Sequence, residues 1–194
     1  MESMSLDQRP SRVVPARVST DEYDRMADAG VFGPDRGRIE LIGGALYEMP
    51  PIGTAHLIAV TRLQVQLAAL NAQGRLLVQQ PVRIPEFDEP QPDLTVLRLP
   101  LGNKKPEAAD CELVIEVSDS TLRFDREKKL VAYKTGGLER VWIVDVVHGL
   151  VEEYGTPAWR QDTHFRGEGQ LEVAGIRIDF EALLRDLAEI PLDS

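Results

Sequence analysis

The chain contains a single cysteine, Cys111, so no intramolecular disulfide can form, and no Cys/His spacing resembles a zinc site. No apolar run approaches the roughly 20 residues needed to cross a bilayer. The polar opening segment, Met1 to Arg12, lacks the apolar core of about 7–15 residues that marks a signal peptide. A cytoplasmic protein without a membrane partner is expected. Internal repeats, low-complexity tracts, a histone-like tail and aromatic stacking motifs are missing as well, which leaves sequence-specific nucleic-acid recognition without support. Positive charge is also scarce, with 22 Lys and Arg against 32 Asp and Glu and a formal net charge of −10. Nucleic-acid affinity comes largely from neutralising phosphates, so any such site must rely on cations clustered locally. Candidates are Lys104-Lys105 and Arg123, Arg126, Lys128, Lys129 and Lys134.

At 194 residues, 43% of them hydrophobic, the chain is long enough for one well-buried domain and short for two. Residues 1–15 are expected to be a flexible amino terminus and residues 16–194 a single domain. Ser19 and Glu22 form a Ser-x-x-Glu capping box that opens a short helix ending by Gly30. Residues 38–49 read as a hairpin turning at Gly43-Gly44, since paired glycines accept the positive φ of a two-residue turn. A helix follows from about Thr54 to Gln73, with His56, Val60, Leu63, Leu67 and Leu70 on one stripe. Leu76 to Ile84, Pro92 to Leu97, Cys111 to Ser118 and Arg140 to Val147 read as strands, and Leu150 to Tyr154 as another after the His148-Gly149 turn. Helices are expected at Asp125–Thr135, closed by Gly136-Gly137, and at Phe180–Leu187, with Asp179 as N-cap. Strand, helix and strand from Leu113 to Val147 imply a βαβ unit with a parallel pair. The fold class is therefore mixed α/β, a central mixed β-sheet flanked by helices.

Chemistry concentrates in three residues. Along Cys111–Ser118 both faces are largely apolar and Glu116 interrupts one of them; a buried carboxylate there needs a cation, a donor or water. Asp93 and Thr95 share one face of the preceding strand, so Asp93 and Glu116 converge if the two strands pair. Lys129 recurs with Asp125 and Tyr133 at i, i+4 and i+8 on one helix face, while Lys128 points about 100° away. Carboxylate oxygens suit Mg²⁺, which keeps several waters and needs only one or two protein carboxylates, and a lysine can orient the attacking water. Each residue also has an ordinary role: Pro-Asp as punctuation before a strand, and Lys129 as a solvated charge pairing with Asp125. Asp145 reads as the end of a strand before a turn rather than as a ligand.

The segment Glu116-Val117-Ser118-Asp119-Ser120-Thr121, followed by Asp125-Arg126, Lys129-Leu130, Tyr133, Gly136-Gly137 and Val141–Asp145, resembles the Uma-type family of predicted restriction endonucleases in the PD-(D/E)XK nuclease superfamily. The resemblance runs from roughly Ser19 to Phe180 and takes in Glu40-Leu41-Ile42-Gly43-Gly44 and His56. It implies a restriction-endonuclease-like core and a Mg²⁺ or Mn²⁺ site held by Asp93 and Glu116. Ser118 stands where the superfamily usually has its lysine, and the resemblance places that function on the neighbouring helix, at Lys129, with Lys128 competing. It further implies that Glu40 is an auxiliary carboxylate and that His56 lines the site; a strand-edge glutamate and a core histidine are the plainer readings. The expected function is metal-dependent hydrolysis of nucleic-acid phosphodiesters, DNA in particular, by a protein that would dimerise to cut both strands. The competing expectations are a nuclease-fold protein that binds nucleic acid or a protein partner without cutting, and a purely structural dimer module.

Overall fold

The computed structural model describes residues 13–33, 35–156, 159–165 and 171–190. Most of the expected flexible amino terminus, residues 1–12, lies outside them. Helix α1 (Thr20–Asp28) starts as its sequence dictates: Glu22 N–H donates to Ser19 Oγ at 3.2 Å, and Ser19 N–H to Glu22 Oε2 at 2.8 Å. Such a cap contributes about 1 kcal/mol. Strands β1 (Ile39–Ile42) and β2 (Ala45–Glu48) form the hairpin, with Gly43 and Gly44 at φ +62° and +80°. A Cβ on Gly44 would also sit 2.6 Å from the Arg17 Cβ, so glycine is required there twice over.

The expected helix from Thr54 is two helices, α2 (Thr54–Gln66) and α3 (Ala68–Ala72), broken at Leu67, whose φ of −96° and ψ of 13° leave helical space. The apolar stripe predicted for it is buried throughout. Strand β3 is shorter than expected, Leu76–Val78 rather than Leu76–Ile84, because Gln79 takes a left-handed φ of +48°. Arg83 and Ile84 make only isolated bridges. Strand β4 (Leu94–Leu97) and β5 (Cys111–Ser118) follow, separated by a 3₁₀ turn at Ala108–Asp110. Cys111 is buried in β5.

The helix after β5 begins three residues before the expected Asp125: α4 (Leu122–Phe124), a π-helical turn (Asp125–Lys129) and α5 (Leu130–Thr135) run on continuously. Gly137, at φ +80°, closes it. Strands β6 (Arg140–Asp145), β7 (Leu150–Gly155) and β8 (Arg160–Phe165) complete a six-stranded sheet of order β3-β4-β5-β6-β7-β8. The β5–β6 pair is parallel, as the βαβ reading requires, and the other pairs are antiparallel. A small hairpin, β9 (Glu172–Val173) and β10 (Ile176–Arg177), precedes α6 (Phe180–Leu184). The last helix is shorter than expected, since Arg185 turns extended and a separate 3₁₀ turn spans Leu187–Glu189.

The strand pleat sorts the core onto two faces. Leu113, Ile115 and Val117 of β5, with Trp142 and Val144 of β6, pack under α2, α3 and α6. Val114, Val141 and Ile143 pack on the opposite face with Tyr133 of α5. Glu116 therefore points toward the face covered by α5. No helix among the described residues is long and apolar enough to cross a membrane.

Candidate active site

The β4–β5 register pairs Leu94 with Ile115, which sets Asp93 beside Glu116 at the carboxyl ends of the parallel β5–β6 pair. Asp93 Oδ2 accepts from the Val117 amide at 2.8 Å, so backbone pairing fixes its carboxylate. Asp93 Oδ1 lies 3.0 Å from His56 Nε2, an ion-pair distance off the angle of a well-formed hydrogen bond. His56 reaches it from the first turn of α2.

Lys129 projects from the π-helical turn into the same site. Its Nζ lies 2.8 Å from Glu116 Oε1, 3.2 Å from Glu40 Oε2 and 4.0 Å from Asp125 Oδ1. The side chain is 1% exposed, an extreme value for a lysine that only paired charge makes tolerable. The Tyr133 hydroxyl also donates to Glu116 Oε1. Asp125 Oδ2 in turn accepts from Ser118 Oγ and Thr121 Oγ1, both at 2.7 Å. Ser118 thus helps to hold the helix that delivers Lys129. Lys128 is exposed and lines a separate cavity of about 550 Å³ between the hairpin and α5.

Burial and the neighbouring carboxylates of Asp125, Asp93 and Glu40 outweigh Lys129 and push the Glu116 carboxyl up to about 8. Burial works the same way on Asp93, but His56, Lys129 and the Val117 amide overcome it and hold Asp93 below the usual carboxylate range. Lys129 stays charged: burial opposes its charge, and the attraction of Glu116, Glu40 and Asp125 prevails. Two adjacent carboxylates with protonation pushed in opposite directions are a common arrangement of functional sites.

Asp93, Glu116, His56 and Lys129 border one small cavity of about 20 Å³, room for a single ion or water. Asp93 Oδ1, buried and without a well-formed hydrogen bond, is the kind of hard oxygen a divalent cation takes. No three His, Cys, Asp or Glu side chains converge as a metal cage among the described residues. Two carboxylates suit Mg²⁺ or Mn²⁺ nonetheless, because such ions keep waters and share the phosphate oxygens of a substrate. All five residues singled out in the sequence, Asp93, Glu116, Lys129, Glu40 and His56, meet here. Sequence reasoning missed Tyr133 as a Glu116 partner, Asp125 as the link to Ser118, and Arg38, which borders the same cavity. The i, i+4, i+8 spacing of Asp125, Lys129 and Tyr133 was the available signal for the first two.

The expected cationic footprint is largely neutralised. Lys104 pairs with Asp110, Lys105 with Asp24 and Glu89, Arg123 with Glu127, and Arg126 with Glu152. Lys128 and Lys134 remain exposed. Asp145 accepts from the Val147 and His148 amides and contacts the His148 ring, the turn-anchoring role expected for it.

Comparisons with known proteins agree with this architecture. Among solved structures the chain is similar to the crystal structure of "a putative nuclease belonging to DUF820 from Anabaena variabilis", with a TM-score of 0.67, 15% identity, and coverage of 88% of this chain and 99% of that chain. At that identity the likeness establishes the fold. No curated protein matches the chain. A family model described as "Putative restriction endonuclease" matches residues 20–187. The chain therefore belongs to the Uma2 family.

Proposed function

We propose that the protein is a metal-dependent endonuclease that hydrolyses phosphodiester bonds of DNA. The observation that carries this reading is the convergence of Asp93, Glu116 and Lys129, distant in sequence, on one cavity at the end of the central sheet. Asp93 and Glu116 would hold Mg²⁺ or Mn²⁺, which when bound lowers the pKa of water and stabilises charge developing on phosphate. Tyr133 and Lys129 both bind Glu116 Oε1, so they fix that carboxylate and leave Oε2 out of either contact. The Val117 amide and His56 hold Asp93 in place from either side. Lys129, permanently cationic in its nest of carboxylates, is positioned to orient the attacking water or the phosphate. Glu40 keeps Lys129 seated from the hairpin side.

The competing reading is a nuclease-fold binding module that does not cut. Its support is the Lys129 ammonium itself, which already serves Glu116 and Glu40 as counter-ion. Calorimetric titration of Mn²⁺ into the metal-free protein separates the two. The nuclease reading expects specific binding that disappears in Glu116→Ala, together with Mn²⁺-dependent nicking of plasmid DNA. Undiminished cleavage by pure Asp93→Ala protein would sink the assignment, and DNA binding without metal affinity would favour the module.

A further inference from the structure

We infer that Arg38 is the residue that binds the substrate phosphate at this site, an inference that rests on the nuclease reading above. Arg38 immediately precedes β1 and borders the same cavity as Asp93, Glu116 and Lys129. A guanidinium presents five N–H donors in a planar fork and keeps its charge at any physiological pH. In Arg38 that fork is poorly used. Its Nη2 lies 3.1 Å from Glu40 Oε1 without hydrogen-bond geometry, and Nε and Nη1 are buried with no hydrogen-bond partner. Buried donors are almost always partnered in folded proteins, so an arginine that borders this cavity with two unpartnered donors is short of an acceptor.

Two other arginines show the contrast. Arg126 donates from Nε and Nη2 to Glu152, and Arg140 from Nε and Nη2 to Glu153. Arg38 has no carboxylate so matched; its side chain as a whole is 26% exposed, with Nε and Nη1 themselves covered. Beside the metal that Asp93 and Glu116 would hold, a phosphate needs a second cation for its remaining oxygens, and the charge of Lys129 is largely taken up by Glu116 and Glu40. Paired oxygens on a tetrahedral phosphodiester match two adjacent N–H donors of a guanidinium, which a carboxylate-lined cavity offers nowhere else.

The test is duplex binding by fluorescence anisotropy over a series of salt concentrations, with Ca²⁺ in place of Mg²⁺, using wild type, Arg38→Ala, Arg38→Gln and Arg38→Lys. Arg38→Ala is expected to weaken binding about tenfold and to reduce the slope of log K against log salt by about one. Arg38→Gln should do the same if the alanine variant folds poorly. Arg38→Lys should keep the slope without restoring full affinity, because ammonium lacks the fork. A purely structural arginine would lower Tm and leave the slope alone. Mn²⁺ affinity of each folded variant is expected within about twofold of wild type, as befits a residue that is not a metal ligand. An unchanged slope, or loss of Mn²⁺ binding in Arg38→Ala, overturns the assignment while leaving the nuclease reading intact. Inorganic phosphate offers the same oxygens, so it is expected to compete with DNA more strongly than chloride at equal ionic strength in wild type and no more strongly than chloride in Arg38→Ala; equal phosphate competition in both overturns the assignment to Arg38. A wild type that binds Mn²⁺ but no DNA removes the nuclease reading and this inference together.

Discussion

Two buried polar clusters sit on the central sheet, and they are built to opposite specifications. Around Glu152 the accounts close: Arg126 donates twice to its carboxylate, Tyr154 OH donates at 2.9 Å and Gln161 Nε2 at 2.8 Å. Around Glu116 they do not. Arg38, Glu40, His56, Asp93 and Thr95 all carry buried polar atoms without a hydrogen bond, and the others of that kind among the described residues, Arg83 Nε and Glu89 Oε2, face each other at 3.6 Å. A satisfied network rigidifies a core, whereas unsatisfied groups, among them those of Arg38, His56 and Asp93 bordering one cavity, mark a place where a ligand can complete the bonding. The π-helical turn that carries Lys129 belongs to the second cluster, as such turns often do. Burial of charge alone therefore does not separate a structural cluster from a candidate active site; the completeness of its hydrogen bonding does.

The sharpest way to break this comparison is to delete a carboxylate from each cluster. Glu116→Ala or Asp93→Ala should reduce DNA cleavage by at least about a thousandfold, measured as plasmid nicking per folded molecule, because metal-assisted hydrolysis loses a ligand. Glu152→Ala should instead cost about 2–3 kcal/mol of stability in urea denaturation, since it strands Arg126 and Tyr154, and should leave cleavage per folded molecule intact. The part-exposed Arg126 keeps that cost below the range for fully buried pairs. His56→Ala should weaken Mn²⁺ binding about 10–100-fold by calorimetry, the usual effect of removing a group that orients a ligand.

The titration of Glu116 gives a smaller and graded effect. Its carboxyl is raised from 4.5 to about 8 in the fold, chiefly by burial. The folded protein thus binds more protons than the unfolded chain across that interval, and this group's contribution to stability falls as pH rises from about 4.5 through about 8. Metal binding must displace the same proton, so Mn²⁺ affinity should rise about tenfold per pH unit up to about pH 8 and then flatten. A flat profile from pH 6 to 9 would mean that Glu116 is ionised throughout or takes no part. Least of all should change with Lys128→Ala, which is expected to alter cleavage less than about threefold and stability within about 0.5 kcal/mol. An effect from Lys128→Ala as large as from Lys129→Ala would reverse the assignment of the lysine.

Much of the architecture was legible in local pattern. The capping box at Ser19 and Glu22, the glycine turn at Gly43-Gly44 and the strand Cys111–Ser118 stand where residue spacing put them. Elements stop short of their apolar pattern where a single backbone torsion ends it, at Leu67, Gln79 and Arg185, and the helix that carries Lys129 starts earlier than its pattern, at Leu122. Hydrophobic periodicity reports which residues are buried, and it is blind to one residue leaving helical or strand space. Of the site, Asp93, Glu116 and Lys129 were visible because each is a charge set into an apolar face or a helical repeat. Arg38 was not, because an arginine at a strand's edge is ordinary in sequence, and only its unpartnered buried donors set it apart.

The order of residues by itself determined the alternation within each strand, with Asp93 sharing a face with Thr95 and Glu116 interrupting an apolar face, and the spacing that aligns Asp125, Lys129 and Tyr133. Both follow from strand and helix periods of a few residues, while the β4–β5 register brought Asp93 and Glu116 to one face. Tertiary structure alone decided that Glu40 of a separate hairpin reaches Lys129, that His56 of α2 and Arg38 border the cavity beside Asp93 and Glu116, and which of their polar atoms stay without partners. Periodicity is a local property of the backbone, whereas those contacts depend on how the hairpin and α2 dock against the sheet, a matter of packing between segments far apart in the chain.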